Sequence, residues 1–296
     1  MKKLALYSLF FLFAFMFFSV NNGNAQDISK YCLVGNVKSI REYHYKPLDD
    51  CDYCEDLQSD SSFVQFSLNG NIIKEIYYNY YAYNEFNKEV TTYKFNEKGK
   101  IVEKKKIGIF ERYVETTKYI RDNQGYIIRK ELYKKYLEDE YKDIYGEGDV
   151  LQSVEYRNNN TDGTAKEISY YNCSNNGKTL HHKDCYGENG YLLKTIYYYD
   201  KTPSEDTYSY DFYATGTIKQ VTEVSFDRKE VSTYNEKGLI TTYVRHPKDN
   251  NRRVRTDTYE YTYDSKGNWI TMKYTEKIIG LKTEIDIYKR KITYYK

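Results

Sequence analysis

Tyr263-Asp264-Ser265-Lys266-Gly267-Asn268-Trp269-Ile270 packs the end of one strand, a turn and the start of the next strand into eight residues. The pattern is an aromatic, a small polar residue, two more polar residues, then Gly and a hydrophobic run, with turn residues between β-favouring ones. It recurs as Tyr234-Asn235-Glu236-Lys237-Gly238-Leu239-Ile240 and as Phe95-Asn96-Glu97-Lys98-Gly99-Lys100-Ile101. A period of roughly 20 to 30 residues marks a repeat architecture, in which each unit buries its apolar face only against its neighbours.

Gly turns are expected at Gly70, Gly99, Gly125, Gly148, Gly177, Gly190, Gly216, Gly238 and Gly267. Most intervals suit two strands of about 8 to 10 residues and two short turns. The 13 residues between Gly177 and Gly190 hold one strand and break the register of the array. Asn158 to Gly163, Asp200 to Thr207 and Arg245 to Arg253 read as connections at the opposite edge, the last two carrying Pro203 and Pro247.

Within a strand the pattern alternates: Tyr259, Tyr261 and Tyr263 face one way and Thr258, Glu260 and Thr262 the other. Ile72 to Tyr81 and Tyr191 to Tyr199 place Tyr and aliphatics on both faces. No stretch holds a helical period, Arg129 to Asp143 being the nearest. The expected fold class is all-β, with about nineteen strands in a long, curled antiparallel meander of hairpin repeats. Essentially no helix is expected after the first 25 residues. With 38 Tyr residues in the chain, phenol rings must supply much of the buried surface.

Residues 1–25 read as a signal peptide: Lys2 and Lys3, an apolar run from Leu4 to Val20, and the small pair Gly23 and Ala25 before a cleavage point. Export to the periplasm, the cell surface or the medium follows, with no membrane span after cleavage. Of the 45 basic residues Lys2 and Lys3 leave with that segment, which matches the remaining 43 to the 43 acids. A general basic field for nucleic acid is therefore not expected.

Residues 26–61 are read as an N-terminal strand and an acidic loop, and residues 62–296 as the repeat domain. The loop holds Asp49, Asp50, Asp52, Glu55, Asp56 and Asp60 without the spacing of a calcium-binding loop. Cys51 and Cys54 form a candidate disulfide in an oxidising compartment, and Cys32 is an alternative partner for either. The chain has five Cys, so one thiol is left over.

The Tyr-Asp-Ser-Lys-Gly-Asn stretch and its degenerate copies from Ser62 to Lys296 resemble the YD repeats of the RHS family, and small exported bacterial proteins built of them. The resemblance implies a β-rich shell or spiral, which in large members encloses a toxin or forms an extracellular scaffold. This chain lacks a toxin-like domain after the repeats and the Pro-rich processing segment of the larger shells, so a self-cleaving carrier is not expected.

No nucleophile elbow, zinc-protease helix or phosphate loop is present. No catalytic, cofactor-binding or metal residue is assigned. His181 and His182, adjacent on a strand, are expected on opposite faces. Trp269, the single Trp, is expected to pack over a neighbouring strand rather than stack on a sugar. The expected function is a non-catalytic exported scaffold or interaction protein of the cell envelope, contacting protein or glycan through Tyr-rich faces or edge loops. The alternative is a carbohydrate-active enzyme with paired carboxylates on the loop edge.

Overall fold

The computed structural model describes residues 33–46, 57–80, 86–108, 113–137, 148–174, 177–199, 202–249 and 253–295. Eighteen strands run in chain order: β1 (Val37–Lys46), β2 (Leu57–Phe66), β3 (Ile72–Tyr80), β4 (Phe86–Phe95), β5 (Ile101–Gly108) and β6 (Tyr113–Arg121). They continue as β7 (Ile127–Tyr136), β8 (Asp149–Asn159), β9 (Ala165–Ser174), β10 (Gly177–Tyr186), β11 (Leu192–Tyr197) and β12 (Ser204–Phe212). The last six are β13 (Ile218–Val224), β14 (Arg228–Tyr234), β15 (Ile240–Pro247), β16 (Arg255–Tyr263), β17 (Trp269–Ile278) and β18 (Glu284–Tyr294). There is no helix among the described residues, and Arg129 to Tyr136 belongs to β7. The candidate disulfide residues Cys32, Cys51 and Cys54, the stretch Asp49 to Asp56 and residues 1–25 lie outside the described residues.

Each strand pairs antiparallel with its neighbour in sequence, and β1 pairs with both β2 and β18. The meander is therefore not an open curl: it closes into an 18-stranded barrel. Closure removes the two exposed edges that a sheet of this size would otherwise carry. The boundary between residues 61 and 62 falls inside β2, and β1 is a full member of the ring.

Eight hairpins share one turn, at Gly70, Gly99, Gly125, Gly163, Gly190, Gly216, Gly238 and Gly267, all with φ between 71° and 86°. In the founding copy Gly267 N–H donates to Asp264 C=O at 3.0 Å and Asp264 N–H to Asn268 C=O at 2.8 Å. The Asp264 carboxylate also accepts from the N–H groups of Lys266 and Asn268. This is a tight turn followed by a left-handed Gly bulge, the geometry that matches strand twist. It shifts the register at the same place in every copy, as between Thr262 and Tyr263.

Gly148 and Gly177 are not members of this edge. They lie at the far edge, beside β8 and at the β9–β10 hairpin, and Gly163 takes the place in the series. The apparent break of 13 residues thus comes from mixing two edges. Asn160-Thr161-Asp162-Gly163 makes the same backbone bonds, but Asn159 stands where the aromatic is expected and Ala165 where the apolar run should start.

The bulge leaves a carbonyl two residues after the Gly without a strand partner, and the following strand supplies a donor. Tyr210 bonds Leu192 C=O at 2.8 Å, Tyr261 bonds Ile240 C=O at 2.9 Å, Asn159 bonds Ile127 C=O at 2.9 Å and Arg121 bonds Ile101 C=O at 3.1 Å. Part of the Tyr content is therefore structural, because a phenol reaches a backbone acceptor while its ring stays buried.

The register assigns strand residues to an inner or an outer wall. Asp257 and Tyr259 face inward, Asp257 being fully buried, while Glu260 and Lys273 pair across the outer wall at 69% and 45% exposure. The apolar core is a strip on the inner wall of β18 and β1–β6, toward the glycine edge: Val37, Ile40, Val64, Phe66, Ile72 and Ile101, with Tyr93. A round ring of 18 strands is at least about 27 Å across its backbone, much more than the ~10 Å at which two packed sheets share side chains. No sizeable contact joins described strands that are not ring neighbours.

Candidate functional site on the inner wall

Cross-strand register builds a belt of charge near the far edge. Tyr208, Glu223, Glu230, Arg245 and Arg255 stand in one row across β12–β16, and Tyr243, Asp257 and Glu276 in the next across β15–β17. Below them Tyr259 and Tyr274 face each other with ring centroids 5.3 Å apart. Arg255 holds Asp257 through both carboxylate oxygens at 2.8 to 3.1 Å, reaches Glu276 at 2.7 Å, and donates to the Tyr274 hydroxyl at 2.8 Å. Arg228 bridges Glu230 at 2.7 Å and Glu223 at 3.4 Å. Such clusters hold only when buried charges compensate one another.

Burial, and then the charge of Glu230, pushes the Glu223 carboxyl up to about 7. Burial raises Asp257 too, against the pull of Arg255, and lifts the phenols of Tyr208, Tyr243, Tyr259 and Tyr274 well above their usual range. A carboxyl whose folded value lies above its unfolded 4.5 stabilises the fold fully below 4.5 and loses that contribution as pH rises toward 7. The contribution from Glu223 is roughly 3 kcal/mol. Glu223→Gln is accordingly expected to flatten stability against pH between 5 and 8, and to be more stable than wild type at pH 8. Urea unfolding at the two pH values measures this. Parallel pH profiles for the two proteins would remove Glu223 from the account.

A second concavity, of about 320 Å³, lies on the inner wall of β6–β10, where Lys130, Glu155, Tyr170, Asn172 and His182 converge. Burial lowers Lys130 against the pull of Glu155, to which its ammonium bonds at 3.0 Å. Burial opposes the charge on Glu155, but Lys130 and Arg157 hold its carboxyl below the usual range. The two histidines do not part to opposite faces as expected. A bulge between Leu180 and His182 leaves His181 as the extra residue, and the two Nδ1 atoms meet at 2.6 Å. His182 stacks on Tyr170 at 4.0 Å, and burial lowers its affinity for a proton. No group of three or more His, Cys, Asp or Glu among the described residues is placed to hold a metal.

Trp269 is 6% exposed, with the Arg290 guanidinium 3.3 Å from its ring centroid and Tyr261 edge-on at 5.9 Å. It packs, as its place after the turn predicts. Cys173 and Cys185 are free thiols on β9 and β10.

No protein-family model matches the chain, and no curated protein matches it. Among solved structures it is similar to a porin-like protein from Bacteroides uniformis, at 11% identity and a TM-score of 0.43, over 88% of this chain and 98% of that one. The likeness is too distant to transfer a ligand or a location.

The belt was not assigned from sequence. Its members are separated by up to 68 residues and become neighbours only through register, although inward alternation in Arg255-Thr256-Asp257-Thr258-Tyr259 was a readable trace. The His181–His182 contact had no sequence signal, because bulges in strands of this composition leave none.

Proposed function

We propose that this protein is an exported, non-catalytic binding barrel that takes a hydroxyl-rich glycan against the Tyr, Arg and carboxylate belt of its inner wall. One observation carries the reading: Glu223, Glu230, Arg245, Arg255, Asp257, Tyr259 and Tyr274 all face inward, on the consecutive strands β13–β17. Arg245, Arg255 and Tyr259 keep part of their surface open, so guanidinium donors and a flat phenol ring can meet sugar hydroxyls while the buried carboxylates hold them in place.

The outer wall supports a barrel in water. Mid-strand outward positions hold Lys105, Lys118, Glu260 and Lys273. A membrane-spanning barrel carries an apolar band there, and each Lys or Arg at the bilayer midplane costs about 2–4 kcal/mol. Export rests on the signal-like residues 1–25, and the kinship to YD-repeat proteins on the turn motif.

Titration of the purified protein with neutral and acidic oligosaccharides, followed by calorimetry, tests the reading. Binding of at least one sugar, weakened tenfold or more by Tyr259→Ala, is expected. If no sugar gives heat or shifts the melting temperature, the inner-wall reading falls. The second reading, a carbohydrate-active enzyme, has one observation in its favour. A carboxyl raised to about 7 beside a second carboxylate is the division of roles that glycoside hydrolysis uses. Turnover of a bound sugar, abolished by Glu223→Gln, would replace the first reading with this one.

A further inference from the structure

Three consecutive connections at the far edge, between β13 and β14, β15 and β16, and β17 and β18, are fastened to one another. Lys248 donates from its backbone to Asp227 C=O at 2.8 Å and from its ammonium to Ser225 C=O at 2.5 Å. Arg253 donates to Gly280 C=O at 3.1 Å, and Ile279 N–H to Val254 C=O at 3.2 Å. The described ends of the middle connection, Lys248 and Arg253 to Val254, thus grip both of its neighbours.

The fastened tip presents large apolar side chains to solvent. Phe226 is 80% exposed at the end of a tight turn, Ile279 is 61% exposed and Leu281 57%. The glycine edge of the same strands shows the opposite character: its exposed turn residues are Ala214, Thr215, Glu236, Lys237, Ser265 and Lys266. The two ends of one set of strands therefore differ, and neither strand formation nor barrel closure calls for a Phe and two aliphatics at one of them.

The tip carries more basic than acidic groups, with Glu284 an exposed acid at the start of β18. Lys248 and Arg253 stay exposed while bonding carbonyls, and Lys229 and Lys277 stand exposed on the outer wall beside them. Asp227 is taken up by Arg228 at 3.1 Å, and Asp249 also has a partner.

We propose that this three-connection tip docks the barrel on an anionic lipid surface, with Phe226, Ile279 and Leu281 entering the headgroup boundary and Lys248 and Arg253 meeting lipid phosphates. Apolar residues at the ends of separate connections suit a flat target rather than a groove. Apolar insertion combined with attraction to anionic headgroups is how peripheral proteins hold a membrane without spanning it. Long basic side chains beside the apolar ones complete that arrangement.

The test is co-sedimentation of the purified protein with vesicles of phosphatidylcholine alone and of phosphatidylcholine mixed with phosphatidylglycerol. Binding to the mixed vesicles is expected, reduced at least tenfold by the triple variant Phe226→Ser, Ile279→Ser, Leu281→Ser. Lys248→Gln with Arg253→Gln should weaken binding to the mixed vesicles only, and Leu68→Ser on the glycine edge should change nothing. Circular dichroism confirms that each variant keeps its sheet. Equal sedimentation of wild type and triple variant overturns the proposal. So does a concentration-dependent dimer that the triple variant abolishes, which would assign the tip to contact between copies.

Discussion

Arg255→Ala is expected to destabilise the barrel by roughly 3–5 kcal/mol, because it leaves buried carboxylates without their counter-charge. Asp257 is fully buried and takes three of its contacts from this guanidinium, and Glu276 lies 2.7 Å from it. The Tyr274 hydroxyl, which donates to Glu276 at 3.0 Å, loses the donor on its other side. Burial already raises the Asp257 carboxyl, so in the variant it will take up a proton at still higher pH, and the loss will be smaller at pH 5 than at pH 8. Denaturant unfolding at both pH values measures the effect. Arg255→Met combined with Asp257→Leu and Glu276→Gln should recover most of the stability, since apolar or neutral replacement of a whole buried charge cluster is often neutral. A single variant within about 0.5 kcal/mol of wild type at pH 8 would mean that water reaches the cluster.

Asn268→Ala is expected to cost roughly 2–4 kcal/mol, an effect that a turn residue does not ordinarily have. Its side chain is fully buried and treats Val34 as a strand partner, donating to Val34 C=O at 2.9 Å and accepting from Val34 N–H at 2.6 Å. Its amide also donates to the Tyr294 hydroxyl at 2.7 Å, and that hydroxyl donates to Asp264 at 2.7 Å. The segment before β1, the end of β18 and the β16–β17 turn are thereby joined at the place where the ring closes. The Val34 N–H, the Val34 C=O and the Tyr294 hydroxyl each lose a partner in the variant. Asn71→Ala, at the corresponding position of the β2–β3 turn, is the control and should stay within about 0.5 kcal/mol. Hydrogen exchange should rise first in β1 and β18 of the Asn268 variant; equal losses in both variants would show that position 268 is only a turn residue.

The copy of the turn that reads most clearly in sequence is thus the copy with an added duty. Asp264, Gly267 and Asn268 are each constrained, Gly267 by its φ of 85° and Asn268 by the seam, whereas Thr164 and Thr217 occupy the corresponding position elsewhere. Strand direction, alternation and most turns were legible because they depend on residues two to five apart. That Tyr259 and Tyr261 share a face was legible for the same reason, but not that this face is the inner one.

Closure was not legible. Whether β18 finds β1 depends on the twist summed over eighteen strands, a quantity that no local stretch encodes. The edges were misread at three glycines for a related reason: Gly148, Gly177 and Gly163 all adopt positive φ, and only the register places the first two at the far edge and Gly163, expected there, at the glycine edge. The balanced charge hid a second arrangement. Outward strand positions carry Lys and Arg in more than twofold excess over acids, while Glu223, Glu230, Asp257 and Glu276 turn inward. Net charge sums over both walls and cannot show which side a residue takes.

The closed ring is the claim on which the inner wall, the belt and the seam all depend, and the pairing of β1 with β18 tests it most directly. Arg41 and Lys291 are directly opposed on the outer wall of that pair. Arg41→Cys with Lys291→Cys, in a chain whose native cysteines are replaced by Ser, places two thiols within disulfide reach. Mild oxidation is predicted to give an intramolecular crosslink in the monomer, found by mass spectrometry as one peptide pair joining β1 to β18. Failure of that pair to form, while a control pair at Glu260 and Lys273 of β16 and β17 crosslinks readily, would contradict closure and leave an open sheet.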